Sequence, residues 1–278
     1  MALRLAEVND LLARARKVSL LAQVPTSGFH VGAVVVSEKG IYEACNVEAG
    51  RISVCAENAA LNMAKTAEGD GLSVHTIAVY GSSPTCPPCG SCRDVIHELA
   101  RDAQIVFRQD DRPTVTGLLD LFPYPTDLTH MSTVIQNHTE EPVLEYLAGA
   151  ARAASRKSYD PFSHLMIGSA VQTRQAVYTG CLVASGACGR ATVSSELNAL
   201  NAARMAEGDA MEVERIVTVG NGTLLSPSGT TRQALIELAP NAVIMFPDHG
   251  RYRTMNVTDL LPLPFGLTSS RVQREGIE

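Results

Sequence analysis

Cys86-Pro87-Pro88-Cys89-Gly90-Ser91-Cys92-Arg93 is the stretch on which the reading of this chain turns. It gathers three of the seven cysteines, the others being Cys45, Cys55, Cys181 and Cys188. An odd total, with three crowded together, points to metal binding or catalysis and away from a disulfide framework. Cys89-x-x-Cys92 just ahead of a helix places both sulfurs on one side of its N-terminus. Upstream, Cys55-Ala56-Glu57 opens a second helix in the same way. Three thiolates with a fourth position left open is the ligand arithmetic of a catalytic zinc site. Three thiolates around Zn²⁺ sum to a net negative charge, which two helix N-termini of about +0.5 each offset, with Arg93 as a further counterweight. The same positive ends keep the thiols deprotonated. Glu57, two residues past a ligand, is placed to reach beyond the metal toward a water molecule. A carboxylate there can take a proton from water attacking an amidine-like carbon and return protons to the ring nitrogen and the departing ammonia.

Outward from this stretch, the chain repeats itself. Pro25-Thr26-Ser27-Gly28-Phe29-His30-Val31-Gly32 is echoed by Pro161-Phe162-Ser163-His164-Leu165-Met166-Ile167-Gly168, 136 positions later. Ile41 to Cys45 matches Val177 to Cys181 at the same spacing. After an insertion near Cys188 to Arg190 the spacing becomes 139, as in Glu57 to Glu196 and Arg93 to Arg232. Each copy alternates helical and strand patterns. Leu3 to Leu21 has helical periodicity; His30 to Val36 and Ile41 to Asn46 read as strands joined by a hairpin. Ala56 to Thr66 reads as a helix, His75 to Tyr80 as a buried strand, Arg93 to Arg101 as a helix and Gln104 to Arg108 as a strand. Interleaving of this kind predicts an α/β domain with helices on both faces of one sheet, present twice. The domain expectation is 1–126 for a metal-binding domain, 127–141 for a polar linker and 142–268 for a second copy. That copy has Ser194, Ser228 and Thr231 where the first has Cys55, Cys89 and Cys92, and Leu182 and Ala184 for Asn46 and Glu48. Hydroxyls are poor zinc ligands at neutral pH, so one zinc per chain is expected. Glu196 is expected to survive as a helix-capping residue.

Composition limits the partners. The 278 residues are 45% hydrophobic, enough for two sizeable cores. A net charge of −6, no Trp and 5% aromatic residues argue against a nucleic-acid partner. Met1 to Asp10 lacks the apolar core of a signal peptide, and no run is long and apolar enough for a membrane span. A cytoplasmic protein with no membrane partner is the expectation.

In order and spacing, Phe29-His30-Val31-Gly32-Ala33, Asn46-Val47-Glu48, Cys55-Ala56-Glu57 and Pro88-Cys89-Gly90-Ser91-Cys92 resemble the cytidine deaminase family, across roughly Leu12 to Pro125. The resemblance implies a three-layer α/β/α domain around a mixed five-stranded sheet. It implies zinc held by Cys55, Cys89 and Cys92, with Glu57 as the catalytic carboxylate. Asn46 and Glu48 would bind the ribose, Phe29 the base, and Ala56 would make a main-chain contact. It also implies hydrolytic deamination of cytidine or deoxycytidine in pyrimidine salvage, by a homodimer of two-domain chains whose second domain has lost its metal. The sequence departs from the family where Asn58 follows the catalytic Glu57 in place of Arg, and where Asp94 follows Arg93. Tyr124 and Phe265 are the candidates for an aromatic cap over an active site.

A carboxylate at Glu48 also bears on the substrate. Like charges about 4 Å apart cost on the order of 4 kcal/mol at an effective dielectric near 20, so a nucleoside is favoured over a nucleotide. Three alternatives stay open. Cys86 could close a four-thiolate structural site with Cys55, Cys89 and Cys92, leaving no room for water. The substrate could be a different aminopyrimidine nucleoside, such as a nucleoside antibiotic. The chain could also be a catalytically silent scaffold.

Overall fold

The computed structural model describes residues 3–49, 52–125, 127–131, 141–184 and 192–264. Its contacts divide into two compact units, Met1–Phe122 with Leu263–Glu278, and Pro123–Pro262.

In the first unit, helix α1 (Leu5–Ser19) leads into strands β1 (Val31–Ser37) and β2 (Ile41–Cys45) and a small ribbon, β3 (Val47–Ala49) with β4 (Ile52–Val54). Then come α2 (Ala56–Glu68), β5 (Val74–Gly81), α3 (Gly90–Leu99), β6 (Gln104–Gln109), β7 (Arg112–Gly117) and the short α4 (Leu118–Leu121). Five strands form one sheet in the order β2-β1-β5-β6-β7. Of the neighbouring pairs only β5 and β6 run parallel, joined by the helical crossover α3. The sheet is therefore mixed and five-stranded, as expected.

The apolar run of β1 reflects burial on both sides. Alternation sends Val34, with Ala78 and Val106 of neighbouring strands, toward Val8, Leu11, Leu12 and Ala15 of α1. Ala33, Val35, Ile77 and Ile105 point the other way, where α2 packs on β1 and β2. A helix lies on each face, giving three layers. Helix α1 comes so close to β1 that a Cβ at Gly32 would sit 2.0 Å from the Ala15 carbonyl oxygen. Gly168 meets Ala151 at 2.2 Å in the same way, so the glycine of each copy is a packing requirement.

The second unit repeats the plan with α5 (Pro142–Ser155), β9 (Ile167–Thr173), β10 (Val177–Cys181), α6 (Ser195–Glu207), β11 (Val213–Gly220), α7 (Gly229–Leu238), β13 (Val243–Asp248) and β14 (Arg251–Asn256). Two short strands, β8 (Asp127–Met131) and β12 (Gly222–Leu224), extend its sheet to seven. Cores again lie on both faces, α5 against Ala170, Val217 and Met245, and α6 and α7 against Val171, Ile216 and Ile244.

The unit boundaries differ from the sequence-based ones. Residues 127–131 pair with β12 as a strand and are no bare linker. Pro123 and Tyr124 belong to the second unit, and Leu263 to the first. A pair of buried arginines holds these segments. Arg232 donates to the carbonyls of Pro227, Leu260, Pro123 and Tyr124; its counterpart Arg93 donates to those of Pro88, Leu121 and Leu263. Among the described residues, no helix is long and apolar enough to cross a membrane.

Candidate active site

Cys55 is the N-cap of α2 and Cys89 the N-cap of α3, with Cys92 in the first turn of the same helix. Neither N-cap thiol makes a capping hydrogen bond. The three sulfurs turn toward one another and lie within 4.8 Å, Cys55 to Cys89 at 3.8 Å and Cys89 to Cys92 at 3.5 Å. Tetrahedral zinc with sulfur at about 2.3 Å requires sulfurs about 3.8 Å apart, so the donor set fits this metal in element and spacing. Cys55 and Cys89 are half-buried while Cys92 is fully buried, which leaves one side of the triangle accessible. Cys86 is absent from the cluster. It is buried against Gly81, where a Cβ would meet its sulfur at 2.3 Å, and burial raises its thiol pKa. Three sulfurs, not four, therefore surround the site.

The protonation pattern of the thiols follows from their contacts. Cys89 is held well below the usual thiol range by hydrogen bonds from Cys55 and Cys92. Cys92 is pushed up by its bonds to Cys55 and Cys89, and Cys55 chiefly by its bond to Cys89. Cys89 is the natural thiolate of the group, at the N-terminus of α3 where the helix dipole favours negative charge.

Glu57 is 4% exposed on the first turn of α2. Burial, and secondarily the charge of Cys89, raises its pKa to about 7. Its copy Glu196 lies in a different environment. There Thr218 Oγ1 donates to the carboxylate at 2.9 Å and Ser195 Oγ at 3.3 Å, and Ser169 Oγ bonds to both hydroxyls. The first unit has Ala56, Val79 and Ala33 at those three positions, with Ala33 paired to Val79 as Ser169 is to Thr218. The walls that strip Glu57 of hydroxyl partners were missed in the sequence; comparing the two copies position by position is the signal that finds them. The expectation of Glu196 as a helix cap is corrected, since Ser194 caps α6 by accepting from Leu197 N and Glu196 is an interior group.

Arg93 was expected as a counter-charge to the thiolates. It is fully buried and donates to main-chain carbonyls, Pro88 at 2.8 Å among them. Burial lowers its pKa to about 10, against the opposing pull of Cys89, Cys92 and Glu57. Its attraction to the site is real, but its contacts are those of an organiser of the turn before α3.

The remaining site candidates converge on the loop before β1. Asn46 follows β2, accepts from Val31 N at 2.8 Å through Oδ1 and donates to Phe29 O at 2.8 Å through Nδ2. Glu48 Oε2 accepts from Thr26 N at 2.9 Å and Ser27 N at 3.1 Å, and hydrogen bonding from Ser27 foremost holds its carboxyl below the usual range. Both residues therefore fasten the turn carrying Phe29. The Phe29 ring is half-buried and near Gly81, whose Cβ would lie 3.1 Å from it. Ala56, fully buried, is the first residue of α2, between Cys55 and Glu57. Asn58 is half-buried, and its Oδ1 has no partner among the described residues. Tyr124, proposed as a cap, lies in the second unit beneath Arg253, whose guanidinium is 4.0 Å from the ring centre. Phe265 lies outside the described residues.

In the second unit, Ser194 and Ser228 cap their helices, accepting from Leu197 N and Thr231 N. Ser228, Thr231 and Ser194 hydrogen-bond one another at 3.0–3.1 Å.

Residues 6–109 match the family model described as the cytidine and deoxycytidylate deaminase zinc-binding region. The chain is 37% identical over 106 residues to a cytidine deaminase of Sporosarcina psychrophila, covering 36% of this chain and 76% of that one. It is 27% identical over 249 residues to a cytidine deaminase of Shewanella pealeana, covering 84% and 80% of the two chains. A crystal structure of cytidine deaminase from Burkholderia pseudomallei is similar over 41% of this chain and 95% of that one, with 33% identity and a TM-score of 0.38.

Proposed function

The chain belongs to the cytidine deaminase family, and from that premise we propose that its first unit hydrolyses cytidine and deoxycytidine to the uracil nucleosides and ammonia. The observation that carries the reading is the three-sulfur cluster with a buried carboxylate, Glu57, two residues beyond one of the sulfurs. Cys55, Cys89 and Cys92 would hold zinc, which when bound supplies a Lewis acid that makes water a nucleophile at neutral pH.

The chain's own residues do the rest. Glu57, raised to about 7, is poised near neutrality to accept a proton and give it back. It takes one proton of the attacking water and passes it to the ring nitrogen beside the reacting carbon; it then takes the remaining proton of the new carbon-bound hydroxyl and delivers it to the amino group, so that the C–N bond breaks, the carbonyl forms and ammonia leaves. Phe29 would face the base, Ala56 offers its main chain beside the sulfurs, and Asn46 and Glu48 would meet the ribose hydroxyls. The second unit supports this assignment of the sugar contacts. Its equivalent turn is fastened without them, by Asp160 accepting from Phe162 N and Ser163 N and by Asn221 clamping Met166 N and His164 O. The turn does not need its clamps to come from the end of β2, so their position in the first unit points to a ligand.

One zinc per chain follows from the hydroxyl set in the second unit. Two chains pairing as a homodimer, a cytoplasmic location and a role in pyrimidine salvage complete the reading. The test combines metal analysis with ultraviolet loss and ammonia release on cytidine and deoxycytidine. Wild type is expected to turn over with one zinc per chain. Glu57→Gln should keep its zinc and lose about a hundred- to ten-thousandfold in kcat. No ammonia from either nucleoside, or full activity in Glu57→Gln, would overturn the reading.

A further inference from the structure

We propose that the first unit carries a second binding site, for an anion bearing phosphoryl groups, on the α1 face of its sheet, opposite the sulfur cluster. A cavity of about 680 Å³ opens there between α1 and the strands β5, β6 and β7, with Asn9, Leu12, Arg16, Lys17, Tyr80 and Arg108 in its lining.

The charges distinguish it. Three cations line the cavity in a chain whose net charge is −6. Arg108 is paired with Asp111 at 2.9 Å, whereas Arg16 and Lys17 have no carboxylate partner among the described residues. Arg108 is held in place from behind. It donates to the carbonyls of Gly81 and Ser83, and its guanidinium lies 4.3 Å from the centre of the Tyr80 ring. Its Nε is buried without a partner among the described residues. Arg16 approaches the same ring at 5.9 Å. Tyr80 thus gathers two guanidiniums, which on their own would repel each other. Arg16 and Lys17 supply the open guanidinium and ammonium donors along this lining, and such donors match the several oxygens of a phosphoryl group.

The internal copy is a natural control, because it dismantles this cavity position by position. Asn9 is matched by Glu145, which is ion-paired with Arg152, the counterpart of Arg16. Lys17 is matched by Ala153, Tyr80 by Val219 and Arg108 by Pro247. Pro113 is matched by Tyr252, which packs on the apolar core under α5. The fold therefore stands without the cluster, and in the first unit Arg16 and Lys17 are cations without a carboxylate partner among the described residues.

The site does not depend on the catalytic reading, and its test is direct binding. Calorimetric titration of the zinc-loaded protein with inorganic phosphate, tripolyphosphate and cytidine triphosphate is expected to show saturable binding that tightens with phosphoryl number. Equal affinity for the last two marks a polyphosphate site, and tighter binding of cytidine triphosphate marks a nucleotide site. Arg16→Gln with Lys17→Gln should weaken binding about tenfold or more, the effect of losing a hydrogen bond to a charged group. Asn9→Glu, which imports the carboxylate of the second copy, should weaken it likewise, with deamination unchanged in both variants. Absence of binding at millimolar concentration, or undiminished affinity in both variants, would overturn the proposal.

Discussion

Asn46→Ala separates the clamp this side chain makes from the sugar contact proposed for it. Its amide clamps the loop before β1 with two hydrogen bonds of 2.8 Å, from Val31 N and to Phe29 O. Each is worth about 1 kcal/mol net, so their loss should cost the first unit about 2 kcal/mol. For a unit of roughly 120 residues, about 4 °C of Tm accompanies each kcal/mol, giving a fall of about 8 °C. Losing the sugar contact should also raise KM for cytidine. A companion variant tells the duties apart. Asn46→Leu with Ser82→Asn imports the solution of the second unit, where Leu182 stands at the strand end and Asn221 clamps the loop from the end of β11. Thermal unfolding and steady-state kinetics on both should show most of the Tm recovered in the double variant and KM still raised. If KM recovers with the Tm, Asn46 has no sugar contact to lose. If Asn46→Ala leaves Tm unchanged, the clamp contributes nothing to the fold and the argument from the second unit falls with it.

Cys86→Ala should lower stability by about 1 kcal/mol, the scale of a small buried truncation, and leave zinc content and turnover intact; loss of zinc by metal analysis would restore the four-thiolate reading. Val79→Thr, braced by Ala33→Ser as Ser169 braces Thr218, gives Glu57 one of the two hydroxyl donors that Glu196 has. A hydrogen bond to a carboxylate is worth about 1.5 kcal/mol or more, so kcat should fall about tenfold per bond formed, with zinc retained; unaltered kcat would show that the bare walls do not matter. Ser228→Ala removes the α7 cap and should destabilise the second unit by about 1 kcal/mol, measured by denaturant unfolding, while zinc and activity stay as they were.

The parts of this molecule that were legible in the sequence are those written in side chains at fixed spacing. Two sulfurs three residues apart at the start of α3 and one before α2 could hardly serve separate ends, and the structure brings them within 4.8 Å. Strands β1, β5 and β6 are apolar because both faces are covered, and their run lengths announce them. Strand β7 is an edge with mostly exposed residues, so it carries no comparable pattern. The unit boundary was hidden for a different reason. It depends on Arg93 and Arg232 donating to main-chain carbonyls of Leu263 and Tyr124, and a carbonyl acceptor has no residue signature. One clue did exist. An arginine kept in the copy that has no metal ligands is not there for the metal, and Arg232 shows what such an arginine does.

The duplication thereby sorts residues by the demand that holds them. Arg93 and Arg232, Gly32 and Gly168, and the α1 and α5 core positions persist in both halves because the fold needs them. The metal ligands did not persist, and their replacements reveal the local conformation they occupied: Ser194 and Ser228 take up ordinary N-cap bonds, as N-cap positions allow. Glutamate is the instructive exception, since it persists in both halves for opposite reasons. A buried carboxylate must be hydrogen-bonded, paired or protonated. The second unit satisfies Glu196 with Ser195 and Thr218, which Ser169 braces, and so makes it inert. The first unit has alanine and valine in the same three places and leaves Glu57 beside Cys89 and Cys92. Its raised pKa thus owes to apolar side chains as well as to Cys89, and polar residues of the first half alone carry no sign of them.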